Sequence, residues 1–123
     1  MQSVMTHRAP AAIGPYSQAI MMHNTLFISG QLGIDPNSGT MPEGFEEQTN
    51  LVFQNIKAIL EAAGMGFVHI VKVTVFLKDM NNFATLNEIY ARQFSAPFPA
   101  REAIEVARLP KDGLIEISVI AMR

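Results

Sequence analysis

The segment VHIVKVTVFLK, residues 68–78, decides the class of fold, because its β-branched residues are typical of a long strand. Alternation along an extended chain assigns its apolar residues to two faces. One face carries Val71, Val73, Val75 and Leu77, and the other carries Val68, Ile70 and Phe76. The strand is therefore predicted to be apolar on both faces, and each face needs a covering layer.

Helical periodicity flanks this strand on both sides. Residues 46–63 repeat apolar residues at helical spacing, and Gly64 can take the left-handed conformation that ends a helix. Residues 81–94 repeat the pattern, with Asp79 or Asn81 placed to cap the start. The apolar stripes are Val52, Ile56, Ile59, Leu60 and Ala63 in the first segment, and Phe83, Leu86, Tyr90 and Phe94 in the second.

Shorter strands are predicted at both ends of the chain. Residues 16–22 and 25–29 form a hairpin around His23-Asn24, and residues 33–44 are a surface excursion rich in turn-forming residues. Strands near 101–107 and 114–122 are separated by the turn LPKDG. The predicted order is ββαβαββ in one domain, residues 1–123, since the chain shows no repeat and no linker.

Two helices cover only one face of a sheet of about five strands. The sequence contains no further helix for the other face, so the simplest cover is the same face of another copy. The charged content of 16% agrees with this, because a globular surface normally carries more charge. We therefore expect a closed homo-oligomer.

Composition argues against several classes of protein. The net charge of −2 creates no broad positive field, so nucleic acid is not expected as a partner. Residues 9–34 lack charge but contain Pro10 and Pro15 among several polar residues, which argues against a membrane span. The chain has no cysteine and no recognisable secretory signal, which fits a cytoplasmic location. His7, His23 and His69 have no acidic partner at ligand spacing, so no metal site is predicted.

Arg101 and Glu116 are the candidate catalytic residues. Strand parity places Glu116 on the face away from the helices, where an acid is exposed, paired across a subunit contact or functional. Arg101 follows the extended segment PFPA, and the alternative to a functional role is a salt bridge at the rim. The two residues lie on what we expect to be neighbouring strands, and a guanidinium matches the carboxylate of a small organic acid.

Several polar residues are secondary candidates. Asn87 interrupts the apolar stripe of the second helix, where it either ties down a loop carbonyl or contacts a ligand. The segments 14–18 and 29–31 combine glycine with Tyr16 or Ser29, which suits close approach to a ligand but also suits turn formation. From the residues alone, the prediction is an oligomeric α+β domain with an organic-acid site.

Four separated blocks, in this order, resemble the Rid (YjgF-type) family of reactive intermediate deaminases. They are GPYSQA at 14–19, SGQLGIDP at 29–36, EQT with NIKAILEAAG within 47–64, and PAREAIEVARLPKD at 99–112. The resemblance implies an α+β, chorismate-mutase-like mixed sheet with two helices on one face. It also implies assembly as a homotrimeric barrel with sites at the subunit interfaces.

The resemblance also implies a reaction and a set of site residues. Such proteins hydrolyse 2-iminopropanoate and 2-iminobutanoate to 2-keto acids and ammonia without a cofactor. By position, Arg101 binds the substrate carboxylate and Glu116 positions or activates water. The implied lining consists of Tyr16, Ser29, Gly30, Asn87 and the backbone carbonyl of Ala103.

Three residues depart from the family pattern, namely Glu102, Ala103 and Ser118. They bear on substrate preference and rate more than on the existence of the site. Two alternatives stay open: a non-catalytic trimer that binds 2-keto acids for regulation, and a ribonuclease. The charge balance and the lack of paired histidines argue against the ribonuclease.

Overall fold

The protein contains one six-stranded mixed sheet. The structure is a computed structural model that describes residues 1–123. The strands are β1 (Gln2–Val4), β2 (Ala19–Met22), β3 (Thr25–Leu32), β4 (Ile70–Leu77), β5 (Ala100–Glu105) and β6 (Ile115–Met122). Their order is β1-β2-β3-β6-β4-β5, with β4 and β5 parallel and all other neighbours antiparallel. The sequence predicted one strand fewer, because β1 is too short to show an alternating pattern.

The predicted hairpin is confirmed as β2 and β3. His23 in its turn has a φ of 54°, a left-handed conformation that His adopts more readily than most residues. Just before β2, the buried amide of Gln18 donates to the carbonyl of Pro10 at 2.8 Å and accepts from the backbone N–H of Thr6 at 2.8 Å. Gln18 thus fastens the N-terminal segment beside the hairpin.

The first predicted helix is α1 (Phe45–Ala62), within one residue of its expected bounds. Gly64 follows it with a φ of 72°, as its position predicted. The guanidinium of Arg123 donates to the carbonyl of Ala63 at 2.7 Å. A cation therefore caps the end of a helix that has no basic residue in its own last turn.

The second helix, α2 (Phe83–Gln93), begins two residues later than predicted. A single 3₁₀ turn, Met80–Asn82, precedes it, and the Asp79 carboxylate accepts from the N–H of Asn81 at 2.9 Å. Asp79 therefore caps the turn rather than the helix. Neither helix combines the length and the apolarity needed to cross a membrane.

The core lies between the two helices and one face of the sheet. Strand β6 alternates strictly, as predicted, and its core-facing residues are Ile115, Ile117, Val119 and Ala121. They meet the buried stripe of α1, which includes Val52, Ile56, Ile59 and Leu60. The single layer of helices leaves the opposite face of the sheet without a cover in this chain.

The uncovered face carries large apolar side chains, of which Phe27 and Ile104 are 46% and 48% exposed. The prediction for the opening of the long strand was wrong. Val68 lies in a 3₁₀ turn, and an irregularity between Ile70 and Lys72 buries Ile70 and exposes Val71. An extra residue in one of two paired strands exchanges the core-facing and outward-facing positions beyond it. The alternation of residue types along the sequence does not reveal where such a residue lies.

Candidate functional site

Glu116 projects from the middle of β6 onto the uncovered face. Its cross-strand neighbours are Phe76 on β4 and Leu32 on β3, both apolar. The carboxylate makes no ion pair within the chain. Half-burial among these groups raises the pKa of the Glu116 carboxyl above its usual range. A carboxyl with a raised pKa holds a proton more readily than an exposed one, which suits a group that accepts and returns a proton.

Gly30 lies directly against this carboxyl. A side-chain carbon at position 30 would stand 2.8 Å from the Cδ atom of Glu116, so a larger residue cannot occupy the position without moving the acid. The close approach arises from an irregularity in β3, where pairing with β6 shifts between Ile28 and Gln31. The bulge therefore brings the backbone of β3 next to the acid.

Ser29 and Tyr16 complete the surroundings of Glu116. The Ser29 hydroxyl donates to the carbonyl of Ser17 at 2.7 Å, which ties the bulge to the loop that carries Tyr16. Tyr16, Ser29, Gly30 and Glu116 line one cleft of about 630 Å³, whose other lining residues include Ile13, Gln18, Ile34 and Lys111. The structure therefore brings these four predicted site residues together in what we call the Glu116 cleft.

Arg101 lies elsewhere, on edge strand β5, and faces α2. Its Nη1 donates to Oδ1 of Asn87 at 2.8 Å. Its Cζ lies 4.7 Å from the ring centroid of Tyr90 and 5.4 Å from that of Phe83. No carboxylate of the same chain forms an ion pair with Arg101, so the structure shows no rim salt bridge within the chain. Arg101 keeps its positive charge uncompensated within the chain.

Of the two alternatives predicted for Asn87, contact with a loop carbonyl is absent within the chain, and contact with a ligand stays a prediction. Its amide oxygen accepts a hydrogen bond from Nη1 of Arg101, and its amide N–H groups donate to no loop carbonyl. Ala103 follows Arg101 on the same face of β5 and packs at the margin of the core. The role of its backbone carbonyl stays a prediction.

One expectation about the pair Arg101 and Glu116 is wrong. Strand β4 lies between β5 and β6, so the two residues are not on neighbouring strands. Arg101 aligns with Val73, which aligns with Val119, and both valines face the core. Glu116 projects from the opposite face, so the two charged groups do not meet within one chain.

Two of the three positions that depart from the family pattern, Glu102 and Ser118, lie on the uncovered face. Glu102 forms an ion pair with Lys72 on β4 at 2.7 Å, and Ser118 lies opposite Thr74. Neither residue lines the Glu116 cleft. The structure contains no group of three His, Cys, Asp or Glu that could hold a metal ion.

Phe83 and Tyr90 contact the candidate site residue Arg101, whereas the sequence predicted only a core position for both. Their signal was present, since Phe83, Asn87 and Tyr90 follow one another at spacings of four and three on one side of α2. A polar residue within an aromatic stripe indicates a charged or polar neighbour. Only the packing of α2 on β5 identifies that neighbour as Arg101.

Comparisons with known proteins give a consistent result. A sequence profile of the family described as Endoribonuclease L-PSP matches residues 6–123. The 2-iminobutanoate/2-iminopropanoate deaminase of Bos taurus is 50% identical over 121 residues, which cover 98% of this chain and 88% of the bovine protein. The crystal structure of RidA from an Antarctic Psychrobacter superposes with a TM-score of 0.97, at 50% identity and full coverage of both chains. TdcF of E. coli, solved with bound serine, superposes with a TM-score of 0.96 at 44% identity, covering 100% of this chain and 99% of TdcF.

Proposed function

The chain belongs to the Endoribonuclease L-PSP family, also called the YjgF/Rid family, and we propose that it hydrolyses 2-iminopropanoate and 2-iminobutanoate to 2-keto acids and ammonia. The naming of a relative at 50% identity as a 2-iminobutanoate/2-iminopropanoate deaminase supports the choice of substrate. The observation that carries the proposal is the guanidinium of Arg101, which is held by three neighbours and has no anionic partner. Such a group can bind a small carboxylate through two parallel hydrogen bonds.

The complete site in this proposal forms between two copies of the chain. Arg101 of one copy faces the Glu116 cleft of the next, because neither group reaches the other within a single chain. The uncovered apolar face supports such an assembly, since association removes Phe27 and Ile104 from water. We propose a homotrimer with three equivalent sites. A cytoplasmic location stays a prediction.

The proposed reaction adds water across the C=N bond of a bound imine. Arg101 binds the carboxylate and fixes the position of the imine carbon. The imine nitrogen takes up a proton from solvent, and Glu116 accepts a proton from the water that attacks the imine carbon, which gives a tetrahedral amino alcohol. Glu116 then returns its proton to the amine, and the C–N bond breaks as the hydroxyl group gives its proton to solvent and becomes the carbonyl. Ammonia leaves behind a 2-keto acid. General acid–base help of this kind contributes about 10²- to 10⁴-fold.

Complementation between two inactive variants tests both the reaction and the shared site. An amino-acid oxidase supplies the imine, and its disappearance is followed against the rate without the protein. Arg101→Ala and Glu116→Gln should each abolish the acceleration. The two variants are then mixed in equal amounts, unfolded and refolded together. A site is intact when its Arg101 comes from the Glu116→Gln variant and its Glu116 from the Arg101→Ala variant, which should hold for about a quarter of the sites. Recovery to about a quarter of the wild-type rate is the expected result.

Two other results would change the proposal. No recovery in a mixture shown to contain mixed oligomers would mean that the site does not span two copies. Absence of acceleration by the wild-type protein would exclude the reaction. Arg101→Lys adds a finer test, since it keeps the charge but loses the planar fork, and we expect a large loss of rate.

The alternatives are distinguished by separate measurements. A regulatory trimer that only binds 2-keto acids would retain binding but show no acceleration in the wild type. A ribonuclease would degrade RNA in a manner sensitive to Glu116→Gln. The Glu116 cleft offers no histidine for that reaction, and His69 is engaged instead by the N–H of Gly66 at 3.0 Å.

A further inference from the structure

Three residues of α2 surround the guanidinium of Arg101. Phe83, Asn87 and Tyr90 lie on one side of the helix, and all three contact this one group on β5. We infer that they form a clamp that positions Arg101 for a carboxylate and thereby sets substrate affinity, an inference that rests on the proposed function. They are positioning residues, since each acts through Arg101 rather than on the reacting atoms.

The clamp uses different parts of the guanidinium from those that a carboxylate needs. The two aromatic rings lie within cation–π distance of the guanidinium carbon, and Asn87 takes a hydrogen bond from Nη1. A guanidinium has five N–H donors, so enough remain for a bidentate bond to a carboxylate. The clamp therefore restricts the motion of the fork without using up its binding edge.

Asn87 is suited to this role because its amide is neutral. It accepts a hydrogen bond from Arg101 without cancelling the positive charge. An aspartate of nearly the same shape would form an internal ion pair and compete with the substrate carboxylate. Asn87→Asp should therefore weaken substrate binding strongly while it preserves the geometry of the clamp.

Tyr90 supplies an aromatic surface to the clamp rather than a hydroxyl. Its ring packs against Phe94 at 4.7 Å and against Phe53 at 6.1 Å between centroids, which fixes its orientation. Its buried hydroxyl has no hydrogen-bond partner within the chain. Burial raises the pKa of the Tyr90 phenol, an effect that the charge of Arg101 partly opposes, so the ring faces Arg101 as a neutral group.

A purely structural role for Tyr90 predicts different behaviour from a clamp. If the Tyr90 ring only fills the core, its removal should lower the stability of the protein. It should then weaken substrate binding no more than removal of another ring of the aromatic cluster formed by Phe53, Phe67, Tyr90 and Phe94. Phe67 provides the matched control, since it packs in the same cluster at 6.3 Å from Phe53 but does not contact Arg101. Tyr90→Phe provides a second control, because it keeps the ring.

Binding of 2-ketobutanoate, a product of the proposed reaction, measures the clamp directly. Loss of one cation–π contact should raise its dissociation constant by about 5- to 30-fold in Tyr90→Leu and Phe83→Leu. Tyr90→Phe and Phe67→Leu should bind like the wild type, and kcat in Tyr90→Leu should fall much less than affinity. Equal affinities in Tyr90→Leu and Phe67→Leu would overturn the clamp.

An NMR measurement separates failure of the clamp from failure of the proposed function. The ring currents of Tyr90 and Phe83 should displace the Arg101 Nε–H resonance in the wild type, and Tyr90→Leu should move it toward the position of a free arginine. Tyr90→Phe should leave it in place. An unchanged resonance in Tyr90→Leu refutes the clamp even if the enzyme proves active. If the wild type neither hydrolyses imines nor binds 2-ketobutanoate, the proposed function is refuted. The position of the Arg101 Nε–H resonance in the wild type and in Tyr90→Leu then still shows whether the two rings contact Arg101.

Discussion

Replacing Gly30 by alanine tests how closely Glu116, the proposed catalytic acid, is placed. The added carbon would stand 2.8 Å from the Cδ atom of Glu116, whereas ordinary contacts lie at 3.4 Å or more, so the carboxyl has to recede by roughly 0.6 Å. A displacement of about 1 Å at a reacting group costs about 10²-fold in rate. We therefore expect Gly30→Ala to reduce imine hydrolysis by about 10- to 100-fold.

The same substitution should leave folding nearly intact. The clash falls on the end of a flexible side chain rather than on backbone. Alanine also limits the freedom of the unfolded chain, which contributes about 0.4–1 kcal/mol of stability where the backbone conformation permits it. Thermal unfolding should therefore change little while activity falls.

Gly66→Ala is the matched control for this experiment. No atom lies within 4 Å of the position that its new carbon would take. Hydrolysis of an oxidase-generated imine should proceed at the wild-type rate in this variant. The reasoning is refuted if Gly30→Ala retains full activity, or if it loses activity only in proportion to a fall in its melting temperature.

Two further predictions concern stability. Gly33→Ala should lower the free energy of unfolding by about 1–3 kcal/mol, because the new carbon would lie 2.5 Å from the carbonyl oxygen of Gln48, which belongs to the rigid backbone of α1. A denaturant titration that matches Gly66→Ala would contradict this. Burial raises the pKa of Glu116, so its stabilising contribution is fully present below the ordinary carboxyl pKa and is lost as pH rises through the folded value. Glu116→Gln should therefore melt at a higher temperature than the wild type at pH 7 and at the same temperature near about pH 4. If variant and wild type melt at the same temperature at both pH values, burial does not destabilise the Glu116 carboxylate.

Much of the fold could be predicted from the sequence because its signals are local. The bounds of α1 were predicted within one residue, and the turn at His23-Asn24 was correct. The alternation of residue types along β6 was enough to place Glu116 on the uncovered face. Predictions failed where a local irregularity interrupts the period, as in the 3₁₀ turn at Met80–Asn82.

The candidate site could be predicted only in its parts. Tyr16, Ser29, Gly30 and Glu116 were proposed by position, and the structure brings these four into one cleft. The expectation that Arg101 and Glu116 lie on neighbouring C-terminal strands is contradicted by the strand order of the single chain. Strand order depends on contacts between residues far apart in sequence, and periodicity carries no information about them.

The sequence by itself determined both helices, the longer strands and the face of β6 that the core covers, since those properties follow from residue spacing. Only the tertiary structure decided which side chains meet. In the folded chain, β4 lies between β5 and β6, Tyr90 packs against Arg101, and Gly30 lies against Glu116. The physical reason is that pairing and packing depend on the burial of the whole chain, in which a bulge or a strand order changes neighbours without changing any local pattern.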